Sequence, residues 1–132
     1  MTTAKDISLG QFLEQLVLRF DRQKITMPLR DEKPWHLFFY NLKKSPGTRG
    51  KPAFLRDMLF DWNGPYPWSP ELAEEINALH WTGCVSAANP QYDEITLKPT
   101  VRQVWETLRL DKDVSTFVDE AARIAAQQQF AT

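Results

Sequence analysis

Cysteine, histidine and long apolar runs are scarce in this 132-residue chain. Cys84 is the single cysteine, so an internal disulfide and a Cys-x-x-Cys metal pair are excluded, which is typical of a reducing compartment. The longest apolar candidate, residues 37–40, is far shorter than the roughly 20 residues of a membrane span. The first residues also lack the apolar region of a signal peptide. These absences predict a cytoplasmic protein with no membrane contact.

Catalytic and metal-binding signatures are also missing. The sequence has no Gly-x-Ser-x-Gly, phosphate-binding-loop or dinucleotide-binding pattern. His36 and His80 lie in apolar segments, where a packed side chain is the usual outcome. His80 and Cys84 are four residues apart, but Gly83 intervenes and a third metal ligand is not evident. We therefore expect a protein that is not an enzyme and that binds no cofactor and no metal.

The charged residues are unevenly divided along the chain. Residues 1–57 contain eleven Lys and Arg against six Asp and Glu, whereas residues 58–132 contain five against eleven. The overall charge of −1 therefore combines +5 with −6. Either the two halves pair inside the fold, or a polarised surface meets a partner or a second copy. The length and the 42% apolar content fit one domain, residues 1–132.

The first and last helices are the clearest periodic segments. Residues 9–22 are predicted to be helical, with Ser8 as the N-terminal cap. The apolar face consists of Phe12, Leu13, Leu16, Val17 and Phe20. The polar residues fall largely opposite: Gln11, Glu14, Gln15 and Arg19. A last helix is predicted at residues 114–128, and its alanine-rich side could also pack against a second copy of the chain. Its predicted core face consists of Phe117, Val118, Ala121, Ala122, Ile124 and Ala125.

Shorter elements are predicted in the middle of the chain. Asp31 is a suitable cap for a second, strongly apolar helix, which ends at the basic Pro-Gly stretch of residues 43–47. Residues 54–60 suit a short helix that runs into an extended segment. Ser69 caps a further helix, with Pro70 in its first position.

A small hairpin is predicted after the Ser69 helix. Residues 85–87 and 94–97 are predicted to be two strands, and residues 88–93 the turn between them. Pro99 or Thr100 then opens another helix. The predicted fold class is mainly α (α+β). It is winged-helix-like, with five or six helices and one small β-hairpin wing.

One aromatic segment resembles the signature of a known family. Its residues are Phe60-Asp61-Trp62-Asn63-Gly64-Pro65-Tyr66-Pro67-Trp68-Ser69-Pro70-Glu71-Leu72. They are similar to the aromatic-x-Gly-Pro-(aromatic or Val)…Ser-x-Glu-Leu signature of the SocA-like, or Panacea, antitoxin domain and its small bacterial relatives. The similarity covers residues 35–108, although the Lys-Leu-x-Tyr type helix of that family is matched only by residues 35–40. The resemblance implies a winged helix, and the family offers no catalytic residues to transfer.

The aromatic turn (residues 62–68) contains a Gly-Pro pair. Gly64 permits a backbone angle that other residues resist, and Pro65 fixes the next angle. We expect the pair to aim Tyr66 and Trp68. These rings either close the edge of the core or form, with Trp62, an exposed patch that docks a protein partner.

The charge of the Ser69 helix argues against DNA binding. A winged helix that reads DNA places this helix in the major groove and presents cations or amides to bases and phosphates. Its early exposed residues here are Glu71, Glu74 and Glu75, which phosphates would repel. The turn at residues 89–93 has no Lys or Arg. A basic loop is the alternative surface for nucleic acid: Lys43, Lys44, Arg49 and Lys51.

These features predict a regulatory or adaptor domain that acts through protein–protein contacts. The predicted partner-binding residues are Trp62, Tyr66, Trp68, Glu71, Glu74 and Glu75. A homodimer would bring the basic half of one subunit to the acidic half of another. The alternative is a DNA-binding transcriptional regulator or antitoxin-type protein that uses the basic loop.

Overall fold

The computed structural model describes residues 6–23, 33–45, 50–81, 85–86 and 96–125. Over these residues the chain is mainly α-helical. Six helices lie there: α1 (Leu9–Gln23), α2 (Lys33–Lys44), α3 (Ala53–Asp57), α4 (Pro70–Trp81), α5 (Pro99–Trp105) and α6 (Lys112–Ile124). Two short strands are described as well: β1 (Val85–Ser86) and β2 (Thr96–Leu97).

Helix α1 begins with a reciprocal capping arrangement. The Gln11 backbone N–H donates to Ser8 Oγ at 3.2 Å, and the Ser8 N–H donates to Gln11 Oε1 at 3.0 Å. Two N–H groups at the helix start, which have no partner within the helix, are satisfied in this way. The prediction that Ser8 caps this helix is confirmed.

Phe12 lies at the centre of the hydrophobic core. Its ring centroid is 5.6 Å from that of Phe39 in α2, 5.5 Å from Phe54 in α3 and 6.0 Å from Phe117 in α6. Phe12 and Phe39 are fully buried. The apolar face predicted for α1 is therefore the surface on which the other helices assemble.

The polar face predicted for α1 is partly wrong. Gln15 and Arg19 are buried, because α5 and α6 cover a second side of the helix. Gln15 Nε2 donates to the carbonyl oxygen of Trp105 at 3.1 Å, so its buried amide keeps a hydrogen-bond partner. Periodicity alone identified one buried side of α1, whereas the fold covers two.

The alanines of α6 belong to the core. Ala121, Ala122 and Ala125 are at most 1% exposed, and α6 packs along α1. The predicted core face of the last helix is therefore confirmed, and because the same chain covers these alanines, they are not available to a second copy. Helix α6 begins at Lys112, two residues before the predicted start, and residues 126–128 lie outside the described residues.

The two strands pair antiparallel, with Val85 opposite Leu97 and Ser86 opposite Thr96. Residues 87–95, which include the predicted turn at 88–93, lie outside the described residues, as does Cys84. The β-hairpin wing and the winged-helix arrangement therefore stay predictions. Among the helices described, none has the length and apolar character needed to cross a membrane.

Candidate functional site

Main-chain hydrogen bonds close the aromatic turn. The Asp61 N–H donates to the Trp68 carbonyl oxygen at 2.7 Å, and the Trp68 N–H donates to the Asp61 carbonyl oxygen at 3.0 Å. The Asn63 N–H donates to Asp61 Oδ1 at 2.8 Å. These bonds bring the end of the turn directly to the start of α4.

The side chain of His36 packs against the rings of the aromatic turn. Its fully buried ring lies 5.8 Å from the Trp68 ring, nearly parallel at 27°, and 5.9 Å from the Tyr66 ring. The Ser69 N–H donates to His36 Nδ1 at 3.0 Å, and Ser69 Oγ accepts the Leu72 N–H at 3.2 Å. The predictions of a packed His36 and of a Ser69 cap are confirmed. The side chain of His80 lies outside those described.

Gly64 does not have the role that the sequence suggested. Gly50 is the described glycine with a positive φ, at 76°, and a Cβ built on Gly64 would meet nothing within 4 Å. The expectation of a special backbone angle at Gly64 is therefore wrong. The Asp61–Trp68 bonds and the His36 ring hold the turn instead.

Some aromatic side chains of the turn close the edge of the core, and others are exposed to solvent. Tyr66 and Trp68 pack on His36, although Trp68 remains 36% exposed. Trp62 is 59% exposed, and its ring meets the Tyr40 ring edge-on at 5.1 Å. Leu59, just before the turn, is 70% exposed. The turn thus closes the core edge on one side and presents Trp62 to solvent on the other.

The basic loop is largely bound to its own main chain. Lys51 Nζ donates to the carbonyl oxygens of Ser45, at 2.8 Å, and Lys43, at 3.2 Å. Lys43 Nζ donates to the Met58 carbonyl oxygen at 2.5 Å. Lys51 thus stabilises the negative end of α2, whereas Lys43 donates to the residue that follows α3. Burial lowers the pKa of Lys51.

The remaining members of the basic loop are in different positions. Lys44 lies over the Tyr40 ring, with its Nζ 5.1 Å from the ring centroid. Arg49 lies outside the described residues. Of the three described lysines predicted to contact nucleic acid, two therefore direct their ammonium groups to main-chain carbonyls, so they do not form one open cationic surface.

The acidic residues of α4 border an open groove of about 500 Å³ between α1, α3 and α4, which we call the acidic groove. Glu71 and Glu74 are exposed and Glu75 is half-buried. The lining residues are Ser8, Leu9, Gly10, Phe54, Asp57, Met58, Glu71, Glu74 and Glu75. The groove therefore combines carboxylates with the apolar side chains of three different elements.

The carboxylates of the acidic groove have no basic partner in the described part of the chain. The ion pairs found there are Arg19–Asp119, Arg22–Glu106, Arg102–Asp21 and Arg123–Glu120. Burial, followed by repulsion from Glu75, raises the pKa of Glu14 in α1. Negative charge thus accumulates between α1 and α4, where a bound cation would relieve it.

Sequence reasoning identified only part of this groove. The predicted residues include Glu71, Glu74 and Glu75 but not Asp57, which lines the groove from α3, nor Glu14 of α1, which does not line the groove but is repelled by Glu75. Glu14 follows Gly10 by four residues on the same side of α1, and this spacing was the available signal. Within the described ranges, no three His, Cys, Asp or Glu side chains lie close enough together to hold a metal ion.

Comparison with known proteins gives no match: no family model, no curated protein and no solved structure is similar to the chain. The acidic groove and the exposed part of the aromatic turn are therefore the features on which a function can be based.

Proposed function

We propose that the chain is a regulatory or adaptor domain, not an enzyme, and that its acidic groove binds a basic segment of a partner protein. The observation that supports this proposal is the set of carboxylates in the groove that lack a basic partner among the described residues. Complementary charge speeds association and selects among partners.

The lining of the groove indicates the chemistry of the partner segment. Leu9 and Phe54 are half-buried, so the exposed part of each can contact apolar side chains of a partner between the acidic edges. Lysine or arginine side chains beside them would reach Glu74 and Glu75. A segment that combines apolar and basic residues at helical spacing therefore fits better than a purely basic one.

A winged-helix arrangement forms part of the proposal. The order α2, α3, α4 and the antiparallel β1–β2 pair supports it, as does the resemblance of residues 60–72 to SocA-like domains. In such an arrangement α4 would occupy the position of a recognition helix. Its exposed Glu71 and Glu74 favour a basic protein segment over DNA, because phosphates would be repelled.

The test is a binding titration with a synthetic amphipathic peptide of leucine and lysine, compared with its leucine–glutamate counterpart. We expect the lysine peptide to bind, and the affinity to fall as salt rises. The double variant Glu74→Lys, Glu75→Lys should weaken binding at least about tenfold, while circular dichroism shows the fold unchanged.

The matched control is Glu106→Lys with Glu120→Lys, which changes the net charge equally at exposed positions outside the acidic groove. It should change the affinity less than about twofold. Equal binding by wild type and the groove variant would contradict the proposal. Salt-sensitive binding of duplex or single-stranded DNA, with no peptide binding, would favour the nucleic-acid alternative instead.

A further inference from the structure

A second pocket lies on another side of α1, away from the acidic groove. It has a volume of about 250 Å³ and is formed by α1, the connection between α5 and α6, and the first turns of α6. Its polar lining consists of three guanidinium groups, one hydroxyl, one amide and one carboxylate: Arg19, Arg22, Arg109, Ser115, Gln15 and Glu106. We call it the arginine pocket, and we propose that it binds the phosphate group of a small molecule.

Arg19 gives the pocket a fixed cationic wall. Its side chain is only 10% exposed. Nε donates to Asp119 Oδ1 at 2.5 Å, and Nη1 donates to the Gln15 carbonyl oxygen and Oε1 at 3.1 and 3.2 Å. These bonds hold the planar guanidinium in one orientation, so little conformational freedom remains to be lost when a ligand binds.

The Nη2 atom of Arg19 can still donate a strong hydrogen bond to a ligand. Its contact is with Ser115 Oγ at 3.5 Å, the outer limit of a hydrogen bond. Ser115 itself lines the pocket. A phosphate oxygen placed beside both groups would accept a charge-assisted hydrogen bond from Nη2 and a second bond from the hydroxyl.

The charge balance of the pocket also favours an anion. Asp119 pairs with Arg19, and Glu106 lies 3.5 Å from Arg22 in a pair exposed to solvent. Arg109 is exposed and forms no ion pair with any described residue. The pocket therefore has one guanidinium in excess, and exposed pairs such as Arg22–Glu106 contribute little and can open for a ligand.

Phosphate fits these donors better than a carboxylate does. Three guanidinium groups and a hydroxyl present more donors than the two oxygens of one carboxylate require, whereas a phosphate group offers three terminal oxygens. The volume is small for a drug-sized ligand but sufficient for a phosphate group with a small substituent.

The experiment titrates the full chain with sodium phosphate at constant ionic strength, with sodium chloride and sodium acetate as comparisons. Thermal unfolding and ³¹P NMR line width provide the two readouts. We expect a saturable rise in melting temperature with phosphate, because a ligand that binds only the folded state stabilises it. Chloride and acetate should give no saturable rise.

Variants then assign the site. Arg109→Gln and Ser115→Ala should each weaken phosphate binding, and together by about tenfold or more. Arg56→Gln, an exposed arginine outside the pocket, should not change it. Arg19 is left intact because its removal would destabilise the fold. Three outcomes would overturn the inference: no saturable response, an equal response to acetate, or phosphate binding that the two pocket variants leave unchanged.

Discussion

Helix α1 has two charged sides that differ in how their charge is balanced. On the side toward α5 and α6, Arg19 meets Asp119 and Asp21 meets Arg102, each at 2.5 Å. On the side toward α4, Glu14 faces Glu75 with no described cation beside them. We call these the paired side and the acidic side.

The difference explains where the uneven charge of the sequence goes. The paired side joins acidic and basic residues from both halves of the chain, so part of the imbalance is cancelled inside the fold. The surplus of negative charge remains on α4 and along the acidic groove. The ion pairs of the paired side therefore form inside the fold and leave Arg109, at the arginine pocket, without a described partner, whereas the carboxylates of the acidic side have no described cation beside them.

The largest effect should come from Phe12, which lies in the core shared by both sides. Phe12→Ala is expected to lower the free energy of unfolding by about 3–5 kcal/mol, because a fully buried ring is replaced by a cavity. Urea denaturation measures this value. The control Val104→Ala, at a 65% exposed position, should cost no more than about 0.5 kcal/mol. Similar costs for both would show that Phe12 is not at the centre of the core.

Substitutions on the paired side should lower the free energy of unfolding by an intermediate amount. Arg19→Met keeps much of the apolar stem but removes the hydrogen bonds to Asp119 and Gln15, and it should cost about 2 kcal/mol. Arg22→Met breaks only the exposed pair with Glu106 and should cost less than about 1 kcal/mol. If the two variants were equally stable, the paired side would not be a stabilising interface.

On the acidic side, removal of a charge should raise the free energy of unfolding, and this change should be the smallest of the three. The pKa of Glu14 is raised in the folded state, so the folded protein is most stable relative to the unfolded chain below the unfolded pKa. That stability is lost as pH rises through the raised pKa, and at pH 7 the ionised Glu14 is unfavourable. Glu14→Gln should therefore stabilise the protein at pH 7 by less than about 1 kcal/mol.

This gain should disappear below about pH 4, where the carboxyl is protonated in both states. High salt should also reduce it. Thermal melts at three pH values measure the difference from wild type. A loss of stability at pH 7 would mean that a cation already compensates Glu14 and that the two sides do not differ.

Local signals were sufficient to predict several elements of the fold. Ser8 and Ser69 are residue types that cap helices, and each accepts a hydrogen bond from an N–H three residues later, so the starts of α1 and α4 could be predicted. The burial of Gln15 and Arg19 could not be, because it depends on α5 and α6, which are distant in the chain. The spacing of apolar residues predicts the apolar face of a helix that is buried, but it does not predict that a polar face is buried as well.

The same distinction holds for the candidate sites. Glu71, Glu74 and Glu75 lie on one helix, so the sequence predicts them as one surface. Asp57 joins the groove, and Glu14 comes near Glu75, only because the helices pack together. Lys43 and Lys51 were assigned to a basic surface because a sequence shows charge but not the main-chain oxygens that receive it. The arginine pocket was missed for a related reason: its residues come from α1, α6 and the connection before α6.

Gly50 has a consequence for recognising relatives of this protein. A methyl group at this position would lie 2.0 Å from the carbonyl oxygen of Asp113, and the backbone angle of 76° disfavours any side chain. Partner specificity can change through the exposed glutamates without disturbing the architecture, but replacement of Gly50 would force the segment before α3 away from α6. Distant homologues should therefore retain glycine here even where the acidic groove has diverged.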